Sequence, residues 1–423
     1  MTNGSSHHSS SGASRGRLRY FVGLSVAALC VAVGLWFVLF TALPGGTSAV
    51  QASTIKGVVD WRLEQNPKYP PVVDDATAAK IIAEMTSGVS GSGTQGLGAR
   101  WTRVLVYWDQ LQPSRPTAAN PGWNTAYLAR LKMIVTKFRA ANVNVIITPA
   151  DVPKWASDSS LWSSPPGHMT PGYQPFYAMK YTNPTVMAGF RNFARYLAQQ
   201  LGGPKGATKF EVWNEPNISL SLYPQRRGHK YPDYGMRVYR AMLRAYYSGI
   251  KSVSRSYTVI AGATAPYGNN STGATSPIVW AKNLKKNNMS RYFDAYSHHP
   301  YTVIGSRNVA PNQLPKDPAH MVNLANLSVL LNVFPSKPFY LTEFGYGAGG
   351  YNAGFGVQVS ASLQAKYLTK AYQMAVSHRQ VKALLWYMMQ DLAPAPGRYG
   401  VYTGLMNAAG VPKPAWKAFI KVH

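Results

Sequence analysis

Short apolar stretches rich in β-branched and aromatic residues alternate with longer amphipathic stretches from about residue 55 to the end of the chain. The short stretches have the length and composition of strands. Eight of them occur, at residues 55–61, 100–108, 143–150, 209–216, 257–264, 292–301, 338–346 and 381–389. The longer stretches repeat apolar residues at helical spacing, which predicts helices, most clearly over 126–141, 185–201 and 234–253.

Eight alternating βα units indicate an α/β protein built as a closed (β/α)8 barrel, a TIM barrel. A doubly wound open sheet is the alternative, but no glycine-rich turn follows the first strand, and eight units suit closure. Long connections follow the strands, at 149–183, 217–233, 264–276, 301–317, 345–361 and 390–413. Because such loops share the C-terminal face of a barrel, functional residues are expected there. We predict one barrel domain over residues 55–423.

The N-terminal residues follow a different pattern. Residues 1–19 are rich in Ser, Gly and His, which predicts a disordered cytoplasmic tail. Residues 20–43 carry no charge and are long enough to span a bilayer as a transmembrane signal anchor. Three arginines precede this segment, so the positive-inside rule exports everything after a linker at 44–54. The protein is then a single-pass protein of the cell membrane with an extracytoplasmic catalytic domain; signal cleavage and secretion are the alternative.

Acidic residues are scarce, because 15 Asp and Glu face 43 Lys and Arg, for a formal net charge of +28. Glutamate occurs at Glu64, Glu84, Glu211, Glu215 and Glu343. The first two fall in the first βα loop and helix, where we expect them to be solvated. The lone cysteine, Cys30, excludes an intrachain disulfide and a cysteine-based zinc site. We expect neither a cofactor nor a metal.

Strand alternation suggests where the other glutamates point, since successive side chains face the barrel interior and the helix layer in turn. By that rule Glu211, Trp213 and Glu215 share the interior face of the fourth strand, with Glu215 at its C-terminal end. Glu343 occupies the matching position on the seventh strand, with Leu341 beneath it. Two carboxylates at one barrel mouth are the groups that glycoside hydrolysis requires. The alternative is a pair of buried partners for arginines.

Two strand motifs, "FEVWNEPN" and "FYLTEFGY", resemble the acid/base and nucleophile strands of clan A retaining glycoside hydrolases, most closely families 39 and 5. Other segments are similar to further parts of these barrels: "WTRVLVYWDQLQP" to the second strand, "VPKWA" to the end of the third, "FDAYSHHPY" to the sixth, "LLWYMM" to the eighth and "KPAWKAF" to the final helix. The resemblance covers about residues 55–421. Each motif is short, and their correct order makes the resemblance specific.

The resemblance implies a role for each of the two glutamates at the mouth. Glu215 would be the general acid/base, and Glu343 the nucleophile that forms a glycosyl-enzyme intermediate. Glu215 must carry a proton before the first step, whereas Glu343 must be ionised and needs hydrogen-bond donors. Retention implies carboxyl groups about 5 to 5.5 Å apart, whereas a separation beyond about 6.5 Å would favour inversion.

Five further residues acquire substrate-binding or supporting roles from the same resemblance. Arg103 and Tyr301 would be the donors to the nucleophile, and Asn214 would bind the sugar 2-hydroxyl. His299 would support these groups, and Trp386 would form the floor of the subsite for the reacting sugar. The alternative for Arg103 is a place in the helix layer, and that for Trp386 is simple packing at the barrel top.

The resulting hypothesis is retaining hydrolysis of β-glycosidic bonds in an extracellular or cell-envelope polysaccharide. A non-catalytic polysaccharide-binding barrel and an envelope transglycosylase with the same site are the alternatives. Residues 1–50 hold three of the basic residues and no acidic one, which leaves +25 on the exported part. This charge, with a basic loop at 224–232, suggests that the protein binds an anionic poly- or oligosaccharide or anionic lipid. The alternative is that the basic residues are spread evenly over the surface and are solvated. We expect a monomer held to the membrane by its N-terminal helix, without a nucleic-acid partner.

Overall fold

Eight parallel strands close into a barrel in the order β1 to β8. The structure, a computed structural model, describes residues 54–63, 73–86, 95–163, 172–230, 232–271, 273–302, 309–349, 358–394 and 400–422. The strands are β1 Lys56–Val59, β2 Trp101–Tyr107, β3 Asn144–Ala150, β4 Lys209–Glu211, β5 Thr258–Thr264, β6 Ala295–His298, β7 Phe339–Phe344 and β8 Val381–Tyr387. Each predicted strand segment contains one of them, so the prediction of a closed α/β barrel is confirmed.

The helices form the outer layer. They are α1 Asp75–Met85, α2 Trp108–Leu111, α3 Thr125–Ala140, α4 Pro184–Leu201, α5 Tyr234–Val253, α6 Pro277–Lys286, α7 Ser328–Leu331, α8 Ala361–Ser377 and α9 Pro414–Ile420. The three helices predicted most clearly match α3, α4 and α5 to within one residue at each end. Local signals set these ends: Asn124 caps α3 by accepting from a backbone N–H, and Asn183 caps α4 just before Pro184.

Apolar side chains form two cores on the two sides of the sheet. The larger core lies between the strands and the helices, and the apolar faces of α4 and α5 contribute to it. The smaller core fills the lower part of the barrel with side chains from seven strands: Val59, Trp101, Ile146, Ile260, Ala295, Tyr340, Ala383 and Leu385. The hydrogen-bonded polar residues of the interior lie above this inner core, toward the C-terminal ends of the strands, whereas the ammonium of Lys209, at the start of β4, lies over the ring of Trp101.

Two side chains that alternation assigns to the barrel interior lie elsewhere. Trp213 comes after the end of β4 and packs against Phe190 of α4, with the ring centroids 6.1 Å apart. Leu341 belongs to the core between strands and helices, whereas Tyr340 lies in the inner core and Thr342 makes hydrogen bonds in the barrel interior. The prediction is therefore wrong for Trp213 and Leu341.

The pairing of β7 with β8 explains how Glu343 still reaches the barrel mouth. Leu341 pairs with Leu384, whereas Phe344 pairs with Trp386, so that β7 uses one more residue than β8 over this interval. A bulge of this kind disrupts the ladder and redirects the side chains near it. Glu343 lies inside this interval, so its side chain can point to the barrel interior even though Thr342, the residue before it, also does.

The N-terminal predictions concern residues outside the described part of the chain. The predicted tail, the transmembrane segment at 20–43 and linker residues 44–53 all lie there, as does Glu64. None of the helices in the described ranges is long and apolar enough to cross a membrane. The described residues all belong to one compact unit. Glu84 lies on α1 and is half-buried rather than solvated, and burial raises the pKa of its carboxyl group.

Candidate active site

Arg103 of β2 is the centre of a hydrogen-bonded group at the mouth of the barrel. Its Nη1 lies 2.5 Å from Oε1 of Glu343. Its Nε donates to Oε2 of Glu211 at 2.8 Å, and its Nη2 donates to Oδ1 of Asn214 at 2.8 Å. The side chain is buried in the interior, so Arg103 does not belong to the helix layer. Its Nε also donates to the hydroxyl of Thr148 at 2.9 Å, so one guanidinium contacts four side chains, as its planar array of donors allows.

Glu343 has a donor on each carboxylate oxygen. Arg103 contacts Oε1, and the hydroxyl of Tyr301 donates to Oε2 at 3.2 Å. Burial, together with the charge of Glu343, raises the pKa of the Tyr301 phenol well above its usual value. Tyr301 therefore remains a neutral donor at ordinary pH. This arrangement matches what a nucleophilic carboxylate needs, because charge-assisted hydrogen bonds favour the ionised form.

Glu215 follows β4 in a backbone conformation that few non-glycine residues adopt. Its φ is 40°, and its backbone N–H donates to the carbonyl of Ala263 at 2.9 Å, which holds the turn against β5. Its carboxylate oxygen Oε1 lies 2.9 Å from Nδ1 of His299, and the side chain stays partly exposed. Pro216 comes next and ends the extended run, so the carboxylate is presented at the mouth.

The two carboxylates face each other across a short gap. A carboxylate oxygen of Glu215, one of Glu343 and a ring nitrogen of His299 all lie within 4.8 Å of one another. Retaining glycosidases hold their carboxyl groups about 5 to 5.5 Å apart, and inverting enzymes need roughly 6.5 Å or more to admit water. The spacing here fits the retaining geometry.

Glu211 lies below this pair and is fully buried. Its Oε2 accepts from Arg103 and from the hydroxyl of Thr148 at 2.8 Å, and its Oε1 accepts from the hydroxyl of Thr342 at 2.9 Å. A buried carboxylate with three donors is satisfied. Sequence reasoning did not single out Thr148 and Thr342, although both lie one strand step below the mouth in a barrel whose lower core is apolar.

The two adjacent histidines at the end of β6, His298 in the strand and His299 just after it, have different surroundings. His299 contacts Glu215 through Nδ1 and the hydroxyl oxygen of Thr342 through Nε2 at 3.1 Å. His298 contacts the hydroxyl of Thr264 at 2.8 Å and the carbonyl of Val322 at 2.9 Å. Burial lowers the pKa of His298 to about 3, so its imidazole is neutral. His299 therefore belongs to the site, whereas His298 ties β6 to β5 and to the following loop.

Trp386 is the one predicted site residue that does not line the mouth. Its ring is fully buried and packs edge-on against Phe344, with the centroids 5.9 Å apart, and its Nε1 donates to the carbonyl of Thr403. Phe344 in turn stacks on Tyr301 at 6.2 Å, so Trp386 braces the donor to Glu343 from behind. The predicted role as an open sugar platform is therefore corrected to the packing alternative.

Tyr387, the next residue, faces the interior instead. It is half-buried and packs against the inner core, on the same face of β8 as Ala383 and Leu385. Its place two residues after Leu385 is that of an interior residue, whereas the family resemblance points to its neighbour Trp386. Tyr387 is thus the aromatic side chain that β8 presents to the site.

A cleft of about 350 Å³ opens beside Asn214. Asp151 and Gln174 provide polar groups in its wall, while Phe176 and the exposed Leu220 provide apolar surface. Mixed polar and apolar walls of this kind suit a sugar ring, which has hydroxyl edges and C–H faces.

The group formed by Glu215, His299 and Glu343 has ligating atoms close enough to share a cation. However, the guanidinium of Arg103 contacts Glu343 directly and would repel a divalent ion at that oxygen. Nδ1 of His299 already contacts Glu215. We therefore interpret the group as an acid–base site whose positive charge comes from Arg103.

The positive charge of the chain is spread over the outer helices. Exposed basic side chains occur on five helices, α3 to α6 and α8, at Lys132, Arg191, Arg244, Lys282 and Lys366. Within the basic loop that follows β4, Arg227 pairs with Asp158 at 3.3 Å and lies over the ring of Tyr234. This distribution fits an even coat of charge better than a basic patch concentrated at the site.

Comparisons with known proteins identify the family and the fold of the chain. The model of the cellulase family, glycosyl hydrolase family 5, matches residues 90–390. No curated protein matches the chain. Similar solved structures include a family 39 glycoside hydrolase from Bacteroides cellulosilyticus WH2, with 18% identity, TM-score 0.55, and coverage of 88% of this chain and 64% of that one. Such low identities show a shared fold.

Two further structures have the same fold. A monomeric beta-xylosidase from Caulobacter crescentus CB15 is 18% identical, with TM-score 0.53, over 82% of this chain and 64% of its own. A family 39 enzyme from Xanthomonas axonopodis pv. citri is 17% identical, with TM-score 0.55, over 88% of this chain and 66% of its own. The chain thus spans slightly less than two thirds of the length of each.

The region matched by the family model runs from before β2 to just after β8 and includes all seven predicted site residues. The family match confirms the predicted resemblance to family 5, and the likeness to the family 39 structures is one of fold. The chain belongs to the cellulase family, glycosyl hydrolase family 5.

Proposed function

We propose that this protein hydrolyses β-glycosidic bonds with retention of configuration, with Glu343 as nucleophile and Glu215 as general acid/base. The observation that carries the proposal is the pair of carboxylates with oxygens within 4.8 Å and with different partners. Glu343 receives a guanidinium and a phenol, whereas Glu215 faces a histidine nitrogen and keeps access to the mouth. Different surroundings for two close carboxylates separate a nucleophile from an acid.

In the first step a carboxylate oxygen of Glu343 attacks the anomeric carbon while the glycosidic carbon–oxygen bond breaks. The proton of Glu215 passes to the departing oxygen, so the leaving group departs as a neutral alcohol. Glu343 is then esterified to the sugar, and Glu215 is a carboxylate. Arg103 and Tyr301 hold the attacking carboxylate in position for this step.

In the second step water enters beside Glu215, which takes one of its protons. The water oxygen bonds to the anomeric carbon, the ester bond to Glu343 breaks, and both carboxyl groups return to their starting forms. Two inversions at the same carbon give net retention.

Asn214 would bind the 2-hydroxyl of the reacting sugar. Its Oδ1 accepts from Arg103, which leaves the amide N–H groups as the donors available to a ligand. Contacts to the 2-hydroxyl strengthen in the transition state of glycoside hydrolysis. The neighbouring cleft, with Asp151 and Gln174, would receive the adjoining sugar of a poly- or oligosaccharide.

We further propose that the enzyme works outside the cytoplasm as a monomer. The uncharged segment 20–43 and the three arginines before it support a membrane anchor with the barrel exported. Its substrate would then be an extracellular or cell-envelope glycan. Protease protection of the barrel in intact cells, or its release after cleavage near residue 52, would distinguish an inward-facing, an anchored and a secreted protein.

The catalytic proposal is tested with aryl β-glycosides and three variants of the purified protein. Glu343→Gln should abolish turnover of both activated and unactivated substrates. Glu215→Gln should lose activity on poor leaving groups but keep fast glycosylation with 2,4-dinitrophenyl glycosides, for which protonation is unnecessary. Glu84→Gln on α1, outside the mouth, is the matched control and should keep wild-type rates.

Product analysis completes this test. Proton NMR of the first-formed sugar should show the β-anomer, and incubation with a panel of envelope polysaccharides should identify the cleaved glycan. Full activity of Glu343→Gln or Glu215→Gln on an unactivated glycoside would refute the role proposed for that residue. A first product with inverted configuration would exclude the double displacement.

A further inference from the structure

A hydrogen-bonded chain runs from the floor of the site to the acid/base residue. Oε1 of Glu211 accepts from the hydroxyl of Thr342 at 2.9 Å. The same hydroxyl oxygen lies 3.1 Å from Nε2 of His299, and Nδ1 of that ring lies 2.9 Å from Oε1 of Glu215. Glu211, Thr342 and His299 are fully buried, so water does not replace these partners.

The donors in this chain can be assigned from chemistry. Arg103 is permanently charged, and its buried contact with Glu211 makes that carboxyl an ionised acceptor. Thr342 has a single O–H, which it must therefore give to Glu211. The Thr342 oxygen can then only accept from His299, which requires a proton on Nε2. The chain excludes the neutral tautomer of His299 that carries its proton on Nδ1.

This assignment determines how the proton is held at Glu215. With Nε2 protonated and the ring neutral, Nδ1 presents a lone pair to Oε1 of Glu215. A hydrogen bond at 2.9 Å then needs a proton on Glu215, or a second proton on the imidazole. Either way, one proton lies between the two residues and is available to a leaving group.

We propose that Thr342 and Glu211 are positioning residues that fix the Nε2–H tautomer of His299. They thereby keep a proton at Glu215 that can pass to the leaving group. The inference rests on the proposed role of Glu215 as general acid. It extends that role to two buried residues that do not touch the sugar and act through His299.

The same arrangement serves the second half of the reaction. Once Glu215 has given its proton to the leaving oxygen, its carboxylate faces the Nδ1 lone pair of His299. Two acceptors at this distance repel each other, and the repulsion is relieved when Glu215 takes a proton from the attacking water. The chain therefore favours proton uptake by Glu215 at the step where a base is required.

Other charged and titratable groups face this pair from the surrounding strands. From β7, Oε2 of Glu343 lies 3.7 Å from Nδ1 of His299, and its negative charge also favours a proton there. Arg103 on β2 opposes this effect but contacts Glu343 and Glu211 directly. Tyr301 is a neutral donor to Glu343, with Tyr387 of β8 near it.

His298, the last residue of β6, adjoins His299 but is neutral, buried and hydrogen-bonded to Thr264 and Val322. The acceptor offered by Thr342 is therefore the feature that selects between the two neutral tautomers of His299.

The direct test is the nitrogen-15 NMR spectrum of His299 in the full-length protein, assigned by comparison with His299→Gln. The wild-type ring should show a protonated Nε2 at neutral pH. In Thr342→Val the acceptor is gone, so the ring should shift toward the Nδ1–H tautomer, whereas Thr342→Ser should keep the wild-type pattern. A neutral Nδ1–H tautomer in the wild-type protein overturns the proposal.

Kinetics provide the second readout. For a glycoside with a poor leaving group, the alkaline limb of the kcat/KM profile should move down by about one pH unit in Thr342→Val, since an Nδ1–H donor stabilises ionised Glu215. Thr342→Ser should restore the limb, and the acidic limb should not move. An unchanged alkaline limb in a folded Thr342→Val protein contradicts the proposal.

The proposed function and the proposed hydrogen-bond chain can be refuted independently of each other. If wild-type protein lacks glycosidase activity, or Glu343→Gln retains it, the proposed function is wrong, while the tautomer measurement still reports on the hydrogen-bond chain. If Thr342→Val does not fold, the wild-type and Thr342→Ser spectra still decide the assignment.

Discussion

Arg103 and Glu343 are 240 residues apart in the chain, yet Nη1 of one contacts Oε1 of the other at 2.5 Å. The arginine comes from a regular position on β2, whereas the glutamate lies in the irregular part of β7. The same guanidinium also binds Glu211 and Asn214. Two buried carboxylates therefore share one cation, and the positions of Glu343 and Asn214 depend on it.

This relationship predicts that Arg103→Lys is severely impaired. A lysine has one compact ammonium group and cannot contact three side chains in a plane, so Glu211 or Glu343 loses its partner. Because removing one member of a buried pair costs about 3 to 5 kcal/mol, urea unfolding should show a loss of that order. On aryl glycosides kcat/KM should fall about 10²-fold or more, as expected when positioning of the nucleophile is lost.

The matched control for this change is Arg237→Lys on α5, where the arginine pairs with Asp233 at the surface. An exposed pair of this type contributes about 0.2 to 1 kcal/mol, so stability and activity should stay close to wild type. Equal losses in the two variants would mean that the network around Arg103 has no special role.

A second prediction separates Trp386 from Tyr387. Tyr387 faces the mouth, so Tyr387→Ala should raise KM for aryl and oligosaccharide glycosides while reducing Tm only modestly. Trp386 is fully buried behind Phe344, so Trp386→Phe should lower the free energy of unfolding by roughly 1 to 3 kcal/mol and leave KM nearly unchanged. Steady-state kinetics and urea unfolding of both variants check this, and the reverse pattern would restore Trp386 as the sugar platform.

These residues also show what the sequence can and cannot predict. The eight strands, the long helices and the motif order follow from hydrophobic period and from short motifs, because burial of apolar faces fixes the βα repeat. Glu211 lies in a regular strand segment, and alternation correctly assigns it to the interior. Arg103 also lies in a regular segment, and its interior position agrees with the resemblance. Successive side chains alternate between the barrel interior and the helix layer wherever the pairing of neighbouring strands is regular.

Where the ladder is irregular, the same reasoning failed. Leu341 was assigned inward because it is two residues from Glu343, but the bulge in β7 separates their directions. Trp213 was assigned inward although β4 ends at Glu211. The resemblance assigns the aromatic floor to Trp386, whereas on β8 it is Tyr387 that packs against the inner core with Ala383 and Leu385. Bulges and strand ends depend on pairing with a neighbouring strand, which a single sequence does not display.

A third prediction concerns the charge of the substrate. If the positive field of the protein attracts an anionic polysaccharide, kcat/KM on that polymer should fall about tenfold as NaCl rises from about 0.05 M to about 0.5 M, because salt screens long-range attraction. A neutral oligosaccharide of the same linkage should be cleaved at a rate that hardly changes. Equal salt dependence for both substrates, or none for either, would indicate that the basic residues are solvated surface charges on the helices and do not attract the substrate.

A fourth prediction concerns His298 and the loss of folding stability at acidic pH. Burial lowers the pKa of this imidazole to about 3, whereas in the unfolded chain it is about 6.5. Between those values the unfolded chain binds the proton and the folded protein does not, so the stabilisation present above pH 6.5 is lost as pH falls toward 3. The slope from this residue approaches about 1.4 kcal/mol per pH unit.

Replacement by glutamine tests this origin of the slope. His298→Gln keeps a donor and an acceptor for Thr264 and Val322 but cannot titrate, so its unfolding free energy should fall less steeply between pH 6 and pH 4 than that of wild type. His378→Gln, at a half-buried position after α8, is the control and should keep most of the slope. Urea unfolding at several pH values measures all three proteins. Parallel curves for wild type and His298→Gln would show that the imidazole is protonated in the folded barrel, which would require a different hydrogen-bond assignment at the end of β6.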